Sequence, residues 1–167
     1  QLDVRSIDRA IELVSKANRV EFYAMGNSRV VALDGQHKFF RFRIPTSAYG
    51  DSHLFTLAAG LLKAGDVVIA ISNSGRLPEL LEAVDAARAA GADVIAITSS
   101  GSPLAKRASV CLAVDHAEDS TTFLSMISRM LQLLLIDIVS VGISLDGSGK
   151  ELGEADHRRM MISHLDS

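Results

Sequence analysis

Residues 65–76 read Gly65-Asp66-Val67-Val68-Ile69-Ala70-Ile71-Ser72-Asn73-Ser74-Gly75-Arg76. The run Val67 to Ile71 is apolar throughout and mostly β-branched, which predicts a strand buried on both faces. A strand with one wet face would alternate apolar and polar residues instead. Gly65-Asp66 marks its entry, and a turn rich in hydroxyls and glycine marks its exit. From Arg76 to Ala90 the chain is rich in Ala, Leu and Glu, and Gly91 stops that segment as a helix terminator. The pattern then repeats, with buried strands expected at Asp93 to Thr98 and at Val110 to Val114.

Working upstream, Leu2 to Ala17 places Val4, Ile7, Ile11, Leu13 and Val14 on a helical stripe. Val20 to Met25 is a short apolar run that enters the turn Gly26-Asn27-Ser28. A helix is expected from Ser28 to Phe40, a short strand at Arg43 to Ile44 beside Pro45, and a helix from Asp51 to Lys63. Downstream, Asp119 to Gly142 is apolar on most sides, as expected of a central or interface helix. After Gly142 the chain turns polar, with a break at Gly147-Ser148-Gly149. Strands that alternate with helices across short connections argue for a parallel sheet covered on both faces. No internal repeat or low-complexity linker interrupts it, so one α/β domain is expected over 1–167, with 1–17 as a leading linker helix and 143–167 as a polar tail.

Composition narrows the function. The chain has 167 residues, of which 48% are hydrophobic and 22% charged, enough apolar material for a substantial core and too much for a disordered tail. Lys and Arg number 17 against 20 Asp and Glu, a net charge of −3, the wrong sign for a domain that grips duplex DNA through its phosphates. The one cysteine, Cys111, lies between mostly apolar flanks and reads as a buried thiol of a cytoplasmic protein. No signal peptide is visible and no apolar run reaches the roughly 18 to 20 residues of a membrane helix. The longest, Met130 to Leu145, is interrupted by Gln132 and Asp137, so no membrane partner is expected. The first residue is Gln1 and a helical segment follows at once, which reads as a piece of a longer protein.

In a parallel sheet, ligands sit outside the carboxyl ends of the strands. Two of those turns, Gly26-Asn27-Ser28 and Ser72-Asn73-Ser74-Gly75, are made of small residues and hydroxyls. Small residues admit an anion close to the backbone, and amides and hydroxyls at a helix start point donors at it. The plainer alternative is that Ser and Asn cap helices. Neither turn carries the further glycines of a dinucleotide fingerprint or a Gly-Lys-Ser/Thr sequence. A small phosphorylated ligand fits better than a nucleotide.

The 65–76 segment resembles the signature of SIS (sugar isomerase) domains. Its continuations Glu79-Leu80-Leu81-Glu82-Ala83, Gly91-Ala92-Asp93-Val94-Ile95-Ala96-Ile97-Thr98 and Ser102-Pro103-Leu104-Ala105 are similar too, and the likeness runs from about Ala17 to Gly142. The resemblance implies a flavodoxin-like three-layer α/β/α sandwich with a five-stranded parallel sheet that binds phosphosugars, in isomerases or in ligand sensors. Within that group, Phe22-Tyr23-Ala24-Met25-Gly26-Asn27-Ser28, Lys38-Phe39-Phe40-Arg41-Phe42-Arg43-Ile44-Pro45 and the pair Asp51 and His53 resemble the sensor domains of RpiR-type bacterial transcription regulators. The Lys-Phe-Phe-Arg-Phe segment, Glu118-Asp119 and Ser128-Arg129 are most like the HexR-like regulators of glucose catabolism. That likeness implies 2-keto-3-deoxy-6-phosphogluconate or a related sugar acid phosphate as effector. It also implies a preceding helix-turn-helix domain that would make the DNA contacts.

Carried over residue by residue, Ser28 and Ser72 match the serines that contact the phosphosugar. Ser74 and the Gly75 amide would complete a phosphate cradle, with Asn27 and Asn73 beside it. One departure stands out: the Thr or Ser common two residues after the glycine is Leu77 here. Arg76 either compensates with a charge-assisted contact or lies solvated. Gly26, Lys38, His53 and Glu79 are possible ligand or rim contacts, and Lys38, Arg41 and Arg43 together read better as a solvated rim. Phe39, Phe40 and Phe42 read as packing.

An aldose–ketose isomerase needs a base beside the carbonyl, for which Glu79 and His53 are candidates and His37 a weaker one. A first-turn glutamate is also common for electrostatic reasons alone. The favoured reading is therefore a phosphosugar sensor without catalytic residues, cofactor or metal. His157 and His164 make no convincing metal pair. A small SIS isomerase and a non-binding dimerisation module are the alternatives. The apolar helix Asp119 to Gly142 predicts a homodimer or higher homo-oligomer.

Overall fold

The computed structural model describes residues 3–115 and 122–146. The elements in chain order are α1 (Val4–Ser15), β1 (Arg19–Ala24), a 3-10 turn (Gly26–Ser28), α2 (Arg29–Phe40), β2 (Thr46–Tyr49) and α3 (Ser52–Gly60). There follow β3 (Asp66–Ile71), α4 (Pro78–Ala89), β4 (Asp93–Thr98), α5 (Pro103–Arg107), β5 (Val110–Ala113) and α6 (Thr122–Leu145). All five strands are parallel, in the order β2-β1-β3-β4-β5.

Every residue of β3 is buried, because the strand alternates between two separate cores. Val67, Ile69 and Ile71 join Val20, Phe22, Ile95 and Ile97 beneath α1, α2 and α6. Val68 and Ala70 join Tyr23, Val94 and Ala96 beneath α3, α4 and α5. The second face carries many alanines, and Ala83 and Ala87 of α4 meet them there. On the first face the helices approach closely through glycine. A Cβ at Gly35 of α2 would collide with the ring of Phe22, and one at Gly142 of α6 would collide with Ile11 of α1.

Four expectations are corrected here. The short strand expected at Arg43 to Ile44 begins instead at Thr46, because Arg43 adopts a left-handed φ of 57° and its N–H bonds back to the Phe40 carbonyl at 3.1 Å. That closes the end of α2 and leaves Ile44-Pro45 as a connection. The helix α4 begins at Pro78 rather than Arg76, since proline suits the first helical position. The start of the polar tail is later than 143: α6 runs to Leu145, and Ile143 is buried. Finally, Met126–Leu145 forms one apolar 20-residue stretch that by length and composition alone could cross a membrane; here it packs on α1 and α2. Residues 116–121 and 147–167, with Glu118, Asp119, His157 and His164, lie outside the described residues.

The leading helix α1 is packed into the sheet, with Ala10 and Val14 fully buried. Cys111 is half-buried rather than buried, and burial, with Asp115 nearby, pushes its thiol above the usual range.

One charge is held deep in β1. Glu21 is 2% exposed, accepts the Tyr23 hydroxyl at 2.5 Å and pairs with Arg19 at 3.5 Å. Burial raises its pKa above the ordinary carboxylate value, and the bonds from Tyr23 and Arg19 offset this only in part. The native state thus keeps this proton to higher pH than the unfolded chain does. Stability from Glu21 is therefore present below the unfolded pKa and declines as pH rises through the native one. Glu21→Gln, which still accepts from Tyr23, is expected to flatten the fall in denaturant-derived stability between about pH 4 and pH 7. Parallel wild-type and variant profiles would contradict this. Arg43→Gly should stabilise the fold by about 1 kcal/mol, since glycine carries no Cβ penalty at a left-handed position.

Candidate functional site

The strand order turns around between β1 and β3: from β1 the chain steps to β2 on one side, and from β3 it proceeds to β4 and β5 on the other. Helices diverge at such a point and leave a crevice outside the carboxyl ends of the two strands. Both serine turns singled out by sequence stand there, one after β1 and one after β3.

Ser28 is buried at the start of α2, yet its side chain makes no capping bond. Its hydroxyl donates to Gln132 Oε1 of α6 at 3.3 Å. Gln132 is 1% exposed, and its Nε2 donates to Asn73 Oδ1. A single α6 side chain therefore ties the β1 turn to the β3 turn. Sequence reading took Gln132 for an interruption in an apolar helix. Its isolation in an otherwise hydrophobic run was the signal, since a buried amide must find partners.

The β3 turn is built differently. Ser72 is buried, and its Oγ accepts the Gly75 N–H at 3.1 Å. Ser74 is exposed, and its Oγ accepts the Arg76 N–H at 3.3 Å. The Gly75 amide, expected to face a ligand, is thus engaged inside the turn, and the serine hydroxyls hold the protons that remain. Gly75 has φ +65°, and a Cβ there would collide with Ser102 Oγ and Thr98 Oγ1. Its carbonyl accepts from the Leu104 N–H at 3.0 Å. Thr98 and Ser102, both buried and 3.4 Å apart through their hydroxyls, buttress the turn from β4 and α5. Both lie in segments that carry the SIS resemblance, but neither is among the site residues read from sequence.

Leu77, where the resemblance leads one to expect a hydroxyl, is the N-cap of α4 without a side-chain bond; it packs instead on the core beneath α4. Gly26, Asn27, Arg76 and Glu79 are exposed around the crevice, and Asn73 is partly so. His53 is exposed on the first turn of α3, where its N–H bonds to the Asp51 carboxylate at 2.8 Å.

Lys38 is placed elsewhere. Its ammonium bonds to Asp34 at 2.8 Å and to Asp137 of α6, joining α2 to α6. Burial disfavours its charge, but Asp137 and Asp34 outweigh that and hold its pKa above the usual lysine value. Arg29, missed from sequence, follows Ser28 directly and lies across Gly50, where a Cβ would come within 2.8 Å of its Cδ. Each serine turn is thus followed by an exposed arginine, Arg29 or Arg76. No group of three or more His, Cys, Asp or Glu among the described residues is arranged to hold a metal.

The SIS domain model matches residues 13–141. The chain belongs to the SIS domain family. The bifunctional protein glk of Paraburkholderia xenovorans strain LB400 is 55% identical over 144 residues, which are 86% of this chain and 23% of that protein. The HTH-type transcriptional regulator HexR of Pseudomonas aeruginosa is 41% identical over 144 residues, 86% of this chain and 50% of the regulator. The SIS fold is also seen in the Vibrio vulnificus NanR protein solved with ManNAc-6P, at a TM-score of 0.84 and 22% identity, covering 96% of this chain and 61% of that one. The chain spans less than a quarter of the first relative and half of the second.

The β3 turn of this SIS domain should not tolerate a side chain at its glycine. Gly75→Ala combines a left-handed φ with the collision against Thr98 and Ser102. It is expected to cost about 1–3 kcal/mol in urea unfolding. An unchanged midpoint would mean that β4 and α5 do not set the shape of the turn.

Proposed function

We propose that this SIS domain is the phosphosugar-sensing part of a transcriptional regulator of carbohydrate metabolism in the cytoplasm. The observation that carries the reading is the joining of the two turns, in which Gln132 bridges Ser28 and Asn73. In this reading Ser28, Ser72 and Ser74 would face one ligand; both Ser72 and Ser74 have a lone pair filled by a backbone N–H. Their own protons are then free to point at an anion, in a geometry set before the ligand arrives.

The likeness to HexR favours 2-keto-3-deoxy-6-phosphogluconate or a related sugar acid phosphate, and Arg29 and Arg76 would suit a ligand with a second anionic group. DNA contacts belong, in this reading, to a helix-turn-helix domain elsewhere in the full-length protein. Catalysis is disfavoured because the carboxylate nearest the β3 turn in sequence, Glu79, stands exposed on the first turn of α4. Isomerisation there would need a base held against the substrate.

The same reading makes the domain a homodimer. Val30, Leu33 and Phe40 of α2 and Met126, Met130, Leu134 and Val141 of α6 stand 48–67% exposed on adjacent helices. An apolar face of that extent fits a second copy better than water. Ligand would then act by favouring one arrangement of the two copies.

Two outcomes test this. In a thermal-shift and calorimetric titration against glucose 6-phosphate, 6-phosphogluconate and 2-keto-3-deoxy-6-phosphogluconate, one sugar acid phosphate should bind and remain chemically intact. At about a hundredfold excess over Kd it should stabilise the fold by roughly 2.7 kcal/mol. Consumption of a ligand would make the domain an isomerase, and no binding would leave it a structural module. Light scattering at micromolar concentration should give the mass of a dimer, and Met130→Glu should give a monomer; a wild-type monomer would remove the dimer.

A further inference from the structure

Ser28 and Ser72 carry hydrogen bonds of opposite sense, although sequence alone makes them look equivalent. A hydroxyl owns one proton and two lone pairs. At Ser72 a lone pair is taken by the Gly75 N–H at 3.1 Å, so the proton is left over. Ser74 is arranged alike, with its lone pair on the Arg76 N–H at 3.3 Å. At Ser28 the proton itself is taken, by Gln132 Oε1 at 3.3 Å. Lone pairs are what Ser28 has left.

The direction of that bond is set from the other turn. Gln132 Nε2 donates to Asn73 Oδ1, which points Oε1 at Ser28. Gln132 is buried and has both ends of its amide occupied. Reversing it would set its carbonyl against the Asn73 carbonyl unless that amide reversed as well. A phosphate oxygen brought to Ser28 would meet lone pairs with no proton between them, an unfavourable contact in a buried site.

We propose that Gln132 fixes Ser28 as a hydrogen-bond acceptor, so that the β1 turn reads a ligand hydroxyl while Ser72 and Ser74 of the β3 turn take the anionic group. This orients the ligand, with its phosphate toward β3 and its hydroxylated chain toward β1. It rests on the reading of the crevice as a phosphosugar site. Gln132 acts through Ser28 and Asn73, as a positioning residue.

The test is isothermal titration with two probes, inorganic phosphate and 6-phosphogluconate, on wild type, Ser72→Ala, Ser28→Ala and Gln132→Met. Ser72→Ala is expected to weaken both probes by about tenfold. Ser28→Ala and Gln132→Met are expected to weaken 6-phosphogluconate by about tenfold and to leave inorganic phosphate within about twofold. A purely structural role for Gln132 would lower both affinities together. The effect of Ser28→Ala on 6-phosphogluconate should vanish in the Gln132→Met background and persist in Gln132→Glu, whose carboxylate still accepts the Ser28 proton. The Gln132→Glu arm and the single Ser28→Ala variant decide the matter if Gln132→Met does not fold. Equal loss of both probes in Ser28→Ala overturns the assigned polarity alone, as does a wild type that binds 6-phosphogluconate no better than phosphate. A wild type that binds neither probe overturns the phosphosugar reading beneath it.

Discussion

A strand with no face toward water dictates the layout of this molecule. β3 is buried from Asp66 to Ile71, so helices must cover both sides of the sheet, and the chain can deliver them only by crossing over after each strand. Parallel pairing, the separate cores above and below, and the gathering of loops at one edge follow from that requirement. The edge then becomes a place where polar turns are necessary, because each strand must end and each helix must begin there. Between β1 and β3, where the strand order reverses, diverging helices leave room for those turns.

What distinguishes the crevice is how its polar groups are satisfied. The β3 turn is fixed by neighbours in space, since Gly75 is pressed against Thr98 and Ser102 and its carbonyl is held by Leu104. The β1 turn is fixed by a residue more than a hundred positions away in sequence, Gln132. The helix that supplies Gln132 also carries the exposed stripe Met126, Met130, Leu134 and Val141. In the proposed reading, ligand recognition and subunit contact would share one helix, with Gln132 on one side of it and the exposed stripe on the other.

Much of this was legible beforehand. The strands from Val67, Asp93 and Val110 and the two serine turns could be read because apolar runs and turn residues are local signals. The displaced β2 was not legible, since nothing in Phe42-Arg43-Ile44 announces a non-glycine residue in the left-handed region. Nor was the partnership of Ser28 with Gln132, because a serine before a helix reads as a cap and only the packed structure shows that it does not act as one. Leu77 illustrates the reverse. Its missing hydroxyl was plain in the sequence, while its place in the core beneath α4 depended on how α4 meets the sheet. Lys38 read as a rim charge because its partner Asp137 belongs to a distant helix.

The tight crossing at Gly142, where Ile11 fills the space a side chain would need, sets the first described helix of the domain against the last. Both helices therefore belong to the same layer, over the core that also takes in α2. A unit whose outer helices pack on each other can occur beside unlike modules without pulling its own sheet apart. That portability accords with relatives in which matching segments occupy very different fractions of their host proteins. It makes the SIS domain a self-contained cassette, its sheet closed by its own helices.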